Sequence, residues 1–91
     1  IEACGASDED AEGIIDHIRD IEGVELALLI RAAEPGAYRV SLRSKLYADV
    51  GAIAKLMGGG GHKHAAGYTA HAAADEVLHE ALAHARDAVR A

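Results

Sequence analysis

Apolar positions along the 91 residues change their spacing several times, and each change predicts an element. Ala11, Ile14, Ile15, Ile18 and Ile21 recur at i, i+3, i+4, i+7 and i+10, behind an N-capping signature of Ser7 followed by Asp10. The spacing predicts an amphipathic helix over about 8–21, closed by Gly23. Val24 to Arg31 contains the unbroken run Leu26-Ala27-Leu28-Leu29-Ile30, expected of a strand covered on both faces. Pro35-Gly36 supplies turn chemistry, after which Tyr38, Val40 and Leu42 alternate with Arg39, Ser41 and Arg43. A hairpin is predicted, its second strand having one apolar and one cationic face. Asp49 can cap a helix with Val50, Ile53, Ala54 and Met57 on one side, which runs into Gly58-Gly59-Gly60-Gly61 and stops there. Gly67 to Ala72 reads as a short strand, and Leu78, Ala81, Leu82, Ala85 and Val89 stripe a last helix of about 74–90. The expected fold is α+β, with helices packed on a small mixed β-sheet of about three strands in the order α-β-β-α-β-α, as one domain over 1–91.

Composition adds a warning and some exclusions. The 51% hydrophobic content contains 21 Ala against 20 Val, Ile and Leu together, with no Phe or Trp, so periodicity rather than oiliness carries the expectation of a core. A single Cys4 makes no internal disulfide and suits a reducing compartment. No apolar run approaches the roughly 18 residues of a membrane span and no leader pattern opens the chain, so a cytoplasmic protein without a membrane partner is expected.

Charge is unevenly placed within the net −6. Residues 1–34 hold ten acids and two bases, and residues 68–91 four acids and two bases. Between them Asp49 is the one acid against Arg39, Arg43, Lys45, Lys55 and Lys63. A cationic island of this size suits a small anion better than wrapped duplex.

Within the island lie Gly58-Gly59-Gly60-Gly61-His62-Lys63-His64-Ala65-Ala66-Gly67 and, upstream, Ser41-Leu42-Arg43-Ser44-Lys45. Consecutive glycines let backbone N–H groups converge into an anion-binding nest, beside which His62 and Lys63 can donate to a phosphate. The competing reading is a flexible linker, although linkers ordinarily mix Gly with Ser. The planar fork of Arg43 suits bidentate capture of phosphate, against the ordinary alternative of a solvated strand charge. Neither a Walker A pattern nor GxGxxG occurs. His62 and His64 form an H-x-H pair, but no Cys and no acid between Val50 and Thr69 supplies a further metal ligand, so no metal site is expected. Neither Ser41 nor Ser44 sits in a nucleophile elbow, so no catalytic residue is expected either. Without Asn, Gln, Trp or Phe, base identity is read weakly. Tyr38 is assigned to the core, and Tyr47 is the better candidate for touching a base.

The strings Val40-Ser41-Leu42-Arg43-Ser44-Lys45, Asp49-Val50, Ile53-Ala54 and GGGGHKHAAG resemble the DHH-associated C-terminal domain of DHH-family phosphoesterases. The likeness covers most of the chain and is greatest to the oligoribonuclease and phosphoadenosine-phosphate phosphatase branch, whose relatives include exopolyphosphatase-related proteins. The resemblance implies a substrate-binding role for Arg43, Ser44, Lys45, Gly58, Gly59, Gly60, Gly61 and His62, and less directly for Lys63 and His64. It further implies a nucleotide or short single-stranded oligonucleotide as ligand, and an N-terminal catalytic domain as partner, holding two manganese ions. A homodimer is compatible with it. No Asp-His-His occurs and the chain begins without Met, so an excised module is expected, hydrolytically inactive alone and needing no cofactor itself. The alternative is a noncatalytic nucleic-acid-binding module of the kind found at the C-terminus of alanyl-tRNA synthetases or RecJ-type exonucleases.

Overall fold

A computed structural model describes residues 8–90. The elements are α1 (Asp8–Asp20), β1 (Leu26–Glu34), β2 (Ala37–Ser44), α2 (Val50–Leu56), β3 (Gly60–His62), β4 (Ala65–Ala70) and α3 (Ala74–Arg90). All three expected helices form within a residue or two of their predicted bounds; the Ser7 cap lies outside the described residues. Ile21 falls beyond the end of α1 and is 55% exposed, so the apolar stripe is one position shorter than its periodicity suggests.

The expected hairpin forms around Pro35-Gly36, with Gly36 at φ +81° where an L side chain is strained. The sheet order is β1-β2-β4-β3 and every pairing is antiparallel, so the sheet is neither mixed nor three-stranded. The added strand is made by Gly60–His62 against Ala65–Gly67. Glycine has no side chain to alternate, so a ladder built from backbone groups alone leaves no period in the sequence.

Helices cover both faces. Ile15 of α1 packs on Ala27 and Leu29, while α2 and α3 bury Val50, Ile53, Val77, Ala81 and Ala85 against Leu26, Leu28, Val40, Leu42 and Tyr68. Successive residues of β1 thus enter opposite cores, the physical meaning of its unbroken apolar run. Each fully buried aliphatic side chain contributes about 1.5–3 kcal/mol. The Arg39–Ser41–Arg43 face of β2 is not simply solvated, because α1 packs on β1 and β2 and leaves Ser41 only 4% exposed.

Candidate anion-binding site

The glycine run divides into two devices. At the end of α2, Gly58 N–H donates to the Lys55 carbonyl (3.2 Å) and Gly59 N–H to the Ala54 carbonyl (2.7 Å), with Gly58 at φ +87°. This is a Schellman cap, and it occupies two of the N–H groups expected to form a nest. The four glycines therefore do not make one continuous nest. Gly59 is pressed on β4, where a Cβ would run into the Gly67 carbonyl. Gly60, Gly61 and His62 continue as the edge strand β3, and α2 lies so close that a Cβ on Gly51 would sit 2.9 Å from the His62 carbonyl. Beside this edge a cleft of about 300 Å³ is lined by Asp49, Gly51, Lys55, Gly60, His62 and Lys63 among others.

Register brings the two anion-competent segments together. Arg43 pairs with Ala65, and Ala65 with His62, while Ser41 pairs with Gly67 and Gly67 with Gly60. Directly opposed residues share a face, so Arg43 and His62 stand on one side of the sheet, roughly 10 Å apart at two strand spacings. Only the small Ala65 intervenes, with Gly60 and Gly67 in the adjoining row. Arg43 arrives already engaged: its Nε donates to Asp16 Oδ1 at 3.1 Å and its Nη1 to the Leu42 carbonyl at 2.9 Å. The sequence suggested an uncommitted fork; α1 places a carboxylate against it.

Residues 2–91 match the DHHA1 domain model, a family associated with DHH phosphoesterases. The chain belongs to the DHHA1 family. A crystal structure of an exopolyphosphatase-related protein from Bacteroides fragilis matches 93% of the chain at a TM-score of 0.79 and 19% identity, a likeness of fold. The chain spans 27% of that protein's length.

In this DHHA1 domain the other predicted site residues take different places. Ser44 faces away from Arg43, is 2% exposed, and directs its hydroxyl to the carbonyls of Ala48 (2.6 Å) and Lys63 (3.1 Å). Lys45 Nζ donates to the Ile21 carbonyl (3.0 Å), at the far side of the connection from the cleft. His64 Nε2 lies 3.2 Å from the Leu46 carbonyl, and Lys63 extends along the cleft. Tyr47 sits over a depression between α2 and α3 and donates its hydroxyl to the Val89 carbonyl (2.9 Å), which separates it from Arg43; Tyr38 packs against the core as expected. Among the described residues no three His, Cys, Asp or Glu lie close enough to hold a metal ion, so these side chains do not fit a manganese centre.

Arg39 and Gly67 were not among the expected substrate-binding residues, yet they belong to the same surface. A Cβ on Gly67 would come within 2.8 Å of Arg39 Nη2, so the absent side chain is what lets the guanidinium lie along β4. The available signal was the parity of Arg39 with Arg43 on one strand.

Proposed function

We propose that this DHHA1 domain binds substrate phosphate for a phosphodiesterase whose hydrolytic chemistry, with manganese, belongs to a separate domain. The observation that carries the reading is the row Arg43–Ala65–His62, flanked by Gly60 and Gly67 and overlain by Arg39. Cationic and imidazole donors above a floor of glycine and alanine suit a phosphate that approaches the backbone. Short oligoribonucleotides, cyclic or linear dinucleotides and 3'-phosphoadenosine 5'-phosphate all present this group. The name of the Bacteroides fragilis relative adds inorganic polyphosphate to the ligands worth testing. Arg43, His62 and Gly60 contact ligand directly, Lys63 borders it, and Gly58, Gly59, Gly61, Ser44 and His64 hold the segment in shape.

Gly60 provides the test, because a Cβ there meets nothing within 4 Å and its φ is not left-handed. Gly60→Val should fold normally yet weaken dinucleotide binding by about tenfold or more, the loss expected for one or two charge-assisted hydrogen bonds. Calorimetric titration of both proteins decides it: equal affinities place the ligand elsewhere.

A further inference from the structure

A backbone nest does exist in this domain, away from the glycines, and an internal carboxylate fills it. Leu46 N–H lies 3.1 and 3.0 Å from the two carboxylate oxygens of Glu25, while Tyr47 N–H and Ala48 N–H each donate to Oε2 at 2.9 Å. Burial acts to raise the Glu25 carboxyl, but the N–H groups of Ala48, Leu46, Tyr47 and Lys45 outweigh it and hold the group below the usual carboxylate range.

The gripped connection has a second side, which holds the glycine–histidine turn. Ser44 Oγ bridges the carbonyls of Ala48 and Lys63, Ser44 N–H donates to the His64 carbonyl (3.0 Å), and Val50 N–H donates to the Lys63 carbonyl (2.9 Å). His64 in turn reaches the Leu46 carbonyl. From these contacts we infer that Glu25 is a positioning residue for the anion site: it shapes the 45–48 connection, which locks Lys63 and His64 beside His62, without touching ligand itself. The inference rests on the proposed function for what the site binds. The charged and titratable groups along this connection are Lys45, whose Nζ is taken by the Ile21 carbonyl, Tyr47, whose hydroxyl donates to the Val89 carbonyl, Asp49, whose carboxylate accepts from Ala52 N–H, and His64.

Backbone amide resonances of the chain, followed from pH 7 to 3.5, test the coupling without any variant. The amides of Leu46, Tyr47 and Ala48 should shift with one midpoint below about 4.3, the ordinary Glu value, and those of Val50, Lys63 and His64 should shift with the same midpoint. Glu25→Gln should remove that step from both groups, and His64→Ala should keep it, showing that the imidazole is not its source. Glu25→Gln should also weaken binding of a linear dinucleotide at pH 7 by about threefold to tenfold, the range for one ordinary hydrogen bond lost at a displaced site. Still resonances at Lys63 and His64 while Leu46 to Ala48 titrate would overturn the positioning role, as would parental affinity in Glu25→Gln. If the parent chain binds no dinucleotide, the proposed function fails, and the amide titration alone then decides the role of Glu25.

Discussion

Arg43 is central to the proposed phosphate contact, and its partner Asp16 sets how it can act. The pair is part-exposed, 15% for the Arg43 side chain and 47% for that of Asp16, so it is worth no more than about 0.2–1 kcal/mol. Charge-assisted hydrogen bonds from the fork to a phosphate are worth about 1.5–3 kcal/mol, enough to draw it from Asp16. Asp16→Asn should therefore tighten phosphodiester binding about twofold to fivefold, as a competing carboxylate is removed, and Arg43→Lys should weaken it because a point charge cannot reproduce the fork. Unchanged dissociation constants in both variants would show that the strand end does not meet ligand. Ser44 illustrates a sign the sequence held but that motif matching passed over. Adjacent strand residues face opposite sides, so Ser44 cannot share the surface of Arg43. Ser44→Ala should lower stability by about 1–3 kcal/mol in urea melts, because the Ala48 and Lys63 carbonyls lose a buried donor.

The helices and the hairpin were legible as elements because burial imposes a period on their side chains. The glycine run was legible only as a helix stop, since neither a Schellman cap nor an edge strand needs a side chain. Its division into two devices makes Gly58 and Gly60 behave differently. Gly58→Ala forces a Cβ residue to φ +87° and should cost about 1–2 kcal/mol of stability, while leaving ligand affinity within about twofold. Gly60→Val should do the reverse. A large affinity loss in Gly58→Ala, with stability intact, would mean that the cap glycines contribute to a nest after all.

For the molecule as a whole, α1 packs on β1 and β2, and the far side of that sheet face presents exposed Gly60, His62 and Thr69. Because no three metal-ligating side chains gather among the described residues, the chain alone should not hydrolyse dinucleotides with manganese; turnover in purified protein, lost in a His62→Ala, His64→Ala double variant, would refute this. Acid stability should follow Glu25. Its folded carboxyl titrates below the unfolded value, so its contribution is complete above about pH 4.3 and is lost as pH falls through the folded midpoint. Urea melts at pH 7, 4.3 and 3 should converge for parent and Glu25→Gln as acidity rises. The α+β class, the three helices, the hairpin, the helix stop at Gly58 and a cationic middle third can all be read along the chain, because each is written in side-chain spacing or charge. Packing between distant segments sets the rest: β4 lies beside β2, which brings Arg43, His62 and Gly60 to one surface, Asp16 meets Arg43, and Glu25 fills a backbone nest. Strand order and the direction of backbone N–H groups depend on how distant segments close around two cores, and that closure has no local period to read.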